Sequence, residues 1–270
     1  IPVTGIKCNG WVYRAETNTA QIAEAAAPWT LANLGLKVWF HIADYTYGRS
    51  VLKEWRSRMK NADSQFTEVG VTRANLGAKN FEPYISQIKS SDAEVLVVGS
   101  TGGDFVRFAK QAESQGLKNQ VEIITTTASF QSLRAGLGSA GYGIHSGVRY
   151  NAKIETGDNQ QFVKDYKNEH DDVPGNFARV AYDSIRMTAE GMKQAGTTDP
   201  TKVKQNLVGT SVKSLFGQNS FRNCNHQATN PVWVGKNVKP KNGTTADVKL
   251  LDKTSGKNAI PPCSQVNCNL

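Results

Sequence analysis

The front half of the chain alternates short apolar runs with amphipathic stretches. Four of these runs predict β-strands, at residues 37–44, 66–72, 93–99 and 121–127. Between the strands, apolar side chains recur at helical spacing, as Leu52, Trp55 and Met59 do. Strands and helices that alternate with short connections form a parallel sheet covered by helices on both faces. The pattern therefore predicts one doubly wound α/β lobe.

Two further elements are predicted before the first of these strands. Residues 11–14, WVYR, are typical of a short aromatic strand. A helix should follow, with Asn18 or Thr19 as its N-cap and Gly35 as its stop.

A glycine motif follows the fourth strand. Gly136, Gly138 and Gly141 have the G-x-G-x-x-G spacing of a loop that holds a dinucleotide pyrophosphate. Such a loop needs a strand before it and a helix after it, because the pyrophosphate lies on the N-terminus of that helix. Here a helix-like stretch comes first, and the strand-like residues 143–150 come second. The motif is therefore interpreted as a turn that leaves a helix, and no cofactor is expected.

After residue 143 the pattern becomes mainly helical. Helices are predicted at 160–170 and 177–194, and a third should begin at Pro200 with Asp199 as its cap. Short strands are predicted at 211–217, 219–222 and 231–237. Long amphipathic helices need an apolar sheet opposite them, and residues 158–208 encode hardly any strand for them to cover. We therefore expect an incomplete second lobe.

Composition and charge exclude several protein classes. With 39% hydrophobic residues and a mean hydropathy of −0.45, the chain is typical of a soluble globular protein, and no apolar run approaches the ~18 residues of a membrane span. The net charge of +9 is concentrated at the end, where residues 201–270 hold ten Lys and Arg against two Asp. These lysines are scattered among Asn, Thr and Gly without interleaved aromatic residues. This favours a solvated tail over a nucleic-acid or anionic-surface site.

The four cysteines predict disulfides. They form no C-x-x-C pair and have no matching histidine spacing, so no metal cluster is expected. The favoured pairs are Cys263 with Cys268 and Cys8 with Cys224, although the sequence leaves three connectivities open. Disulfides would place the chain in an oxidising compartment.

Several stretches, in the same order along the chain, resemble one family. The family is that of the type I periplasmic solute-binding proteins of ABC importers, in particular the branched-chain amino-acid (Leu/Ile/Val-binding) group. The stretches are WVYRAETNT, DYTYGRS, NFEPYISQIKSSDAEVLVVGSTGGD, FVRFAKQAESQGL, NFARVAYDSI and SFRNCNHQATNPVWVG. The resemblance implies two doubly wound lobes that are joined by three chain crossings and close on a small ligand.

The resemblance also implies a division of the chain. The segments are a first hinge crossing at 1–14, a complete α/β lobe at 15–142, the helix-rich remainder of the other lobe at 143–222, a return crossing with strands at 223–250 and a basic C-terminal tail at 251–270. This division brings Cys8 and Cys224 together at the hinge, which supports their pairing. The opening strand-helix-strand series of the family has no counterpart. A missing N-terminal segment or a complementing chain is therefore expected to supply it.

The ligand site implied by the resemblance lies beyond the carboxyl ends of the strands, where small molecules bind to open α/β sheets. The candidates are Asp44, Tyr47, Ser100, Thr101, Gly102, Thr126 and Phe177, with Tyr182 and Asp183 as weaker ones. Tyr47 would form an aromatic wall, and Phe177 would reach in from the other lobe. Two structural interpretations compete with these, since Tyr47 could only brace its loop and Phe177 could be a core residue.

The third loop bears on the ligand. Amino-acid binders of this family commonly place a carboxylate there, but the matching stretch TTTASF contains none. Asp44 or Asp104 could substitute for it. The expected ligand is therefore a small polar solute, either an amino acid or a neutral amide or urea-like compound.

The expected function is capture of this solute outside the cytoplasm, in the periplasm or at the outer cell surface, and its delivery to an ABC permease. Secretion or anchoring would depend on an upstream segment. The alternatives are a ligand-sensing receptor module and a non-transport surface protein on the same fold. No enzyme is expected, because the four histidines are far apart and neither G-x-S-x-G nor H-E-x-x-H occurs.

Overall fold

The computed structural model describes residues 2–270, which form two compact units. The sheet unit comprises Ile22–Val148 and Trp233–Lys253. The helical unit comprises the described part of Ile1–Gln21 together with Arg149–Val232 and Thr254–Leu270.

The chain contains eight α-helices and nine strands within its described residues. The helices are α1 Thr19–Asn33, α2 Thr46–Ala62, α3 Glu82–Lys89, α4 Gly102–Ser114, α5 Gln131–Leu137, α6 Gly157–His170, α7 Asn176–Ala195 and α8 Pro200–Leu207. The strands are β1 Lys37–Ala43, β2 Thr67–Ala74, β3 Val95–Gly99, β4 Glu122–Thr125, β5 His145–Val148, β6 Val212–Ser214, β7 Gly217–Asn219, β8 Val232–Val238 and β9 Asp247–Thr254.

A seven-stranded sheet organises the sheet unit, in the order β2-β1-β3-β4-β5-β8-β9. The first five strands of this order pair in parallel, and β8 pairs antiparallel to β5. The predicted doubly wound α/β lobe is therefore confirmed. Strand β2 lies at one edge of the sheet and β9 at the other.

Successive side chains of a strand point to opposite faces of the sheet, so a strand that is apolar throughout contributes apolar side chains to both faces. In β3, Val95 and Val97 pack against α1 and α2, in a cluster with Trp55. The neighbouring Leu96 and Val98 pack against α3, α4 and α5. Every residue of β3 is buried, as the unbroken apolar run predicted.

The helical unit has little sheet of its own. Helices α6, α7 and α8 are accompanied by one hairpin, β6 with β7. Its apolar cluster is small and consists of Ala15, Met187, Val212, Phe221 and Ala228. Aliphatic and aromatic side chains of α7 remain exposed instead, with Phe177 at 67% and Ile185 at 70% of their surface. The predicted shortage of strands in this part of the chain agrees with this arrangement.

Three local expectations need correction. Residues 11–14 form no strand, and Arg14 makes only an isolated bridge to Gln227. Helix α2 begins at Thr46, so that Tyr47 lies in a helical turn rather than in a loop. Strand β9 runs to Thr254, so the first residues of the predicted solvated tail belong to the sheet.

The glycine motif adopts the conformation that its context predicted. Gly136 lies in α5, and Gly138–Gly141 form a short 3-10 helix that leads to β5. The motif therefore leads from helix α5 to strand β5, the reverse of the strand-then-helix order that a dinucleotide loop needs.

The predicted disulfide pairs are wrong. The structure joins Cys8 to Cys268 and Cys224 to Cys263. The segment after β9 folds back onto the turn that contains Cys224, where Arg222 donates a hydrogen bond to the carbonyl of Pro261 at 2.5 Å. This contact brings Cys263 to Cys224. Although Cys263 and Cys268 are close in the sequence, each is bonded to a cysteine that is distant in the sequence, because the fold of the chain decides the pairing.

Candidate functional site

The carboxyl ends of the parallel strands meet at one edge of the sheet. Ile42 is paired with Gly99, and Val98 is paired with Thr125. The residues that follow these strands therefore lie side by side. They are Asp44 and Tyr45 after β1, Ser100 and Thr101 after β3, and Thr126 and Thr127 after β4. We call this set the carboxyl edge.

Helix α2 starts very close to this edge because its first turn contains a glycine. A Cβ atom on Gly48 would lie 2.1 Å from the carbonyl oxygen of Ala43 and 2.8 Å from that of Gly99. No other residue fits without moving the ends of β1 and β3. Gly48 thus holds the turn with Tyr47 against the two strand ends.

Hydroxyl groups organise the end of β4. The Thr125 hydroxyl oxygen accepts hydrogen bonds from the backbone N–H groups of Thr127 at 3.1 Å and Ala128 at 2.9 Å. The hydroxyl of Tyr47 makes a very short contact with that of Thr126, which is fully buried. Tyr47 therefore braces the third loop, and this contact joins the ends of β1 and β4.

Two buried hydroxyls at the carboxyl edge have no hydrogen-bond partner among the described residues. They belong to Ser100, which is 1% exposed, and to Thr127, which is 3% exposed. Buried polar groups are nearly always paired with protein, water or ligand, and leaving one unpaired costs free energy. These two hydroxyls are therefore the groups at this edge that most need a partner.

The start of α4 adds backbone N–H groups to the same edge. Thr101 is the N-cap residue, and its side chain makes no capping hydrogen bond. Gly102 opens the helix with a φ of +60°, a left-handed conformation that favours glycine. The first N–H groups of a helix have no partner within the helix, and the helix dipole attracts negative charge there. This end of α4 can hold a polar or anionic group.

The two acidic candidates already have partners. Asp44 forms an ion pair with Arg49 at 2.8 Å, and this hydrogen bond lowers the pKa of the carboxyl group. Asp104 makes an ion pair with Arg107 and accepts a hydrogen bond from the N–H of Gly77 at 2.9 Å. Because each carboxylate is already paired with an arginine, neither is available to bind the ammonium group of a ligand.

Tyr45 also lies at the carboxyl edge, and the sequence did not single it out. Its ring centroid is 6.0 Å from that of Tyr47. Burial raises the pKa of Tyr45, and the neighbouring Tyr47 and Asp104 raise it further. Thr127 was missed as well, although it belongs to the run of three threonines that marked the third loop.

The remaining candidates belong to the helical unit. Phe177 is in the first turn of α7 and is exposed. Tyr182 packs on Phe162, with 4.7 Å between their ring centroids. Asp183 is 1% exposed and lies 3.6 Å from the guanidinium of Arg179, which is itself fully buried. Burial raises the pKa of Asp183, so this carboxyl group is part of a buried polar core.

Metal binding finds no support in residues 2–270. No group of three or more His, Cys, Asp and Glu side chains in this range is arranged to hold an ion. In the same residues, no helix is both long and apolar enough to cross a membrane.

Comparison with known proteins gives this architecture a family. A sequence model described as "Periplasmic binding protein" matches residues 2–244, which is most of the chain. The chain therefore belongs to the periplasmic binding protein family. The resemblance seen in the sequence is thereby confirmed.

Members of this family that resemble the chain include amino-acid-binding proteins. The "Leu/Ile/Val-binding protein homolog 4" of Brucella abortus is 23% identical over 283 residues, covering 100% of this chain and 66% of the relative. The chain thus spans slightly less than two thirds of that relative's length.

Solved structures of the family share the fold. The Leu-, Ile-, Val-, Thr- and Ala-binding protein of Brucella ovis, in its closed conformation, superposes with a TM-score of 0.87 at 21% identity, covering 97% of this chain and 69% of that one. A solute-binding protein of an ABC transporter from Rhodopseudomonas palustris, in complex with 3,4-dihydroxybenzoic acid, gives 0.77 at 22% identity, covering 90% and 67%. These similarities establish a common fold.

Proposed function

We propose that this periplasmic binding protein captures a small polar solute and delivers it to an ABC permease. One observation carries the proposal. Among the described residues, the hydroxyls of Ser100 and Thr127 have no hydrogen-bond partner, and both are buried at the carboxyl ends of adjacent parallel strands, where α/β sheets bind small molecules. Beside them lie the N–H groups that open α4. A solute with hydrogen-bonding groups would satisfy both sets.

The same edge favours particular solutes. Asp44 and Asp104 are both paired with arginines, so the edge offers no unpaired carboxylate for a ligand ammonium group. Donors and acceptors without net charge suit a neutral amide or urea-like compound. An amino acid could bind its carboxylate at the start of α4. Relatives of similar fold are named for binding aliphatic amino acids or were crystallised with an aromatic acid, so the family fold suits several solutes.

Three further properties belong to this proposal. The protein acts by binding, without catalysis, as the names of its relatives suggest. It works outside the cytoplasm, since two disulfides are stable in an oxidising compartment. The residues proposed to contact the solute are Tyr47, Ser100, Thr101, Gly102 and Thr126, with Asp44 held at the rim by Arg49.

We further propose that another polypeptide segment completes the helical unit. The exposed side chains of α7 recur at helical spacing, at Phe177, Ala181, Ile185 and Met192. A long exposed apolar stripe marks a surface that another element covers. About a third of the sequence of the Brucella abortus relative lies outside the part that this chain matches. That additional sequence would supply strands to pack on α7.

A thermal-shift screen of the protein tests the function. Amino acids, amides, urea and aromatic carboxylates are each added in excess. A true ligand at 100 times its dissociation constant should add about 2.7 kcal/mol to the unfolding free energy. If no solute shifts the melting temperature, transport is contradicted, and the sensor or surface-protein alternatives gain support.

Variants then locate the site. Ser100→Ala should weaken binding about fivefold, because one hydrogen bond is worth about 1 kcal/mol. The matched control is Ser86→Ala, which removes an exposed hydroxyl from α3. Isothermal titration calorimetry measures both affinities. Equal affinities for the two variants would show that the solute does not contact Ser100.

A further inference from the structure

A strongly basic groove runs along the outer face of α2 and begins beside the carboxyl edge, where Arg49 pairs with Asp44. It has a volume of about 510 Å³. Five cationic side chains and Ser57 line it, and we define the basic groove by these cations: Arg49, Lys53, Arg56, Lys60 and Arg73. The first four come from α2, and the fifth comes from the adjacent edge strand β2.

The cations of α2 form a single line. Residues 49, 53, 56 and 60 follow one another at spacings of four, three and four, which places them on one helix face. At 1.5 Å per residue, the line is about 17 Å long. The opposite face of α2 carries the buried Val51, Trp55 and Met59. The helix is thus anchored by its apolar face and presents the line of cations outward.

Carboxylates neutralise this line only in part. Arg49 is paired with Asp44 at 2.8 Å, and Arg56 with Glu68 at 2.5 Å. Within residues 2–270, Lys53 and Lys60 form no ion pair with a carboxylate, and Arg73 makes no direct ion pair but is near enough to Asp44 to help lower the pKa of that carboxyl group. Like charges three or four residues apart on a helix repel one another and lower the stability of the folded state. Binding of an anion would relieve this repulsion.

We propose that the basic groove binds a linear phosphodiester polymer that is not a nucleic acid. In such a polymer the charges lie on the backbone itself, in a single line that matches the line on α2. The guanidinium groups can each hold two phosphate oxygens, and the lysines act as point charges. In a sulfated glycan, by contrast, the charges project from ring substituents on several sides.

Two other anionic partners fit the groove less well. Single-stranded nucleic acids bind proteins largely by stacking bases on aromatic side chains, and no residue that lines the groove is aromatic. Attachment to an anionic membrane surface usually adds exposed apolar side chains that enter the lipid. The apolar residue lining the groove is Leu52, which is only 5% exposed.

Fluorescence anisotropy with a labelled glycerol-phosphate polymer tests the proposal on the whole chain. Binding should weaken with added salt, because bound phosphates release counterions. With about three unpaired cations engaged, the association constant should fall about 20-fold between 50 and 200 mM NaCl. No binding at 50 mM NaCl, or binding that does not depend on salt, would contradict the proposal.

Matched charge reversals locate the polymer. Lys53→Glu with Lys60→Glu should weaken binding more than about tenfold. Lys164→Glu with Lys167→Glu makes the same change in net charge on exposed positions of α6 and should bind as the unaltered protein does. Equal losses in both variants would show that only net charge matters, which contradicts a groove. Lys53→Gln with Lys60→Gln serves if the reversed variant has a lowered melting temperature.

Competitors establish the class of polymer. Unlabelled oligothymidylate, chondroitin sulfate and phosphatidylglycerol vesicles are compared with the glycerol-phosphate polymer at equal anion concentration. The proposal expects the glycerol-phosphate polymer to compete best. Stronger competition by any of the other three assigns the groove to that partner instead. Equal displacement by monomeric glycerol phosphate shows an isolated phosphate site and overturns the proposal.

Discussion

The sheet unit and the helical unit are stabilised by different means. In the sheet unit, both faces of a seven-stranded sheet are covered by helices, and large apolar clusters fill the space between them. The helical unit has one hairpin and one small apolar cluster. Both disulfides lie within it.

Buried polar groups replace apolar packing in the helical unit. The carbonyl oxygen of the Gln227 side chain accepts hydrogen bonds from Thr4 at 3.1 Å and Asn18 at 3.0 Å. Arg179 is fully buried and contacts Glu16 at 3.2 Å and Asp183 at 3.6 Å. A region with a small core needs cross-links or polar networks to remain folded. We therefore expect the sheet unit to be most sensitive to loss of apolar side chains, and the helical unit to loss of disulfides or buried polar contacts.

The largest expected effect concerns the disulfides. Replacing Cys224 and Cys263 by serine removes a cross-link between residues 39 apart. The unfolded state regains chain entropy, and the helical unit should lose about 4 kcal/mol of stability. Hydrogen exchange measured by mass spectrometry should show faster exchange in α7 and unchanged exchange in β3. Equal acceleration in both elements would show that the two units unfold together, which breaks the comparison.

A pair of isoleucine variants compares apolar burial in the two units. Ile42 in β1 is fully buried, and Ile185 in α7 is 70% exposed. Ile42→Ala should cost about 2–5 kcal/mol, because it removes buried apolar surface and leaves a cavity. Ile185→Ala in this chain should change stability by less than about 0.5 kcal/mol. Guanidinium unfolding of each variant measures both values.

The same pair sharpens the proposal for α7. In a longer chain that also carries the additional sequence found in the relatives, Ile185→Ala should become as costly as a core substitution if that sequence covers α7. An unchanged small cost in that longer chain would contradict a covering segment.

Acid should weaken the sheet unit through a buried histidine. His41 in β1 is fully buried, and burial lowers its pKa to about 3 from the usual 6.5. Nδ1 of His41 forms a hydrogen bond with the Thr72 hydroxyl at 2.9 Å, whereas Nε2 is buried with no hydrogen-bond partner among the described residues, so the surroundings stabilise a protonated ring poorly. Below pH 6.5 the unfolded chain takes up a proton that the folded one does not. The free energy of unfolding is therefore highest above pH 6.5 and decreases as the pH falls from 6.5 to about 3.

This loss can be measured against a variant. Between pH 7.5 and pH 5, His41 alone should lower the unfolding free energy by roughly 2 kcal/mol. His41→Asn should remove that share of the pH dependence, while the exposed His170→Asn in α6 should leave it unchanged. Unfolding curves in guanidinium at several pH values give both slopes. Identical slopes for the two variants would show that His41 does not cause the acid sensitivity.

The regular elements could be predicted because their signals are local. Residues Val95–Gly99 are apolar without interruption, and this pattern is typical of a strand that is covered on both faces. Asp199 and Pro200 predicted the start of α8, and the Asp199 side chain accepts a hydrogen bond from the N–H of Lys202 as an N-cap residue does. At the site, the parallel order predicted that residues after β1, β3 and β4 would lie at one edge. Their roles in binding remain predictions.

Other features depend on contacts between distant residues. The contact of Tyr47 with Thr126, the partnerless hydroxyls of Ser100 and Thr127, and the pairing of Asp44 with Arg49 follow from the packing of helices on strand ends. The cations at 49, 53, 56 and 60 were visible in the sequence. Their union with Arg73 of β2 into one groove required the sheet.

The sequence by itself determined the order of the first strands and helices, the parallel sheet and the shortage of strands between residues 158 and 208. These follow from the spacing of apolar residues, since each element must bury one face. Only the tertiary structure decided the disulfide partners, the place of β9 in the sheet and which hydroxyls lack partners. Each of these depends on which distant segments meet, and that is decided by the packing of the whole chain rather than by any local pattern.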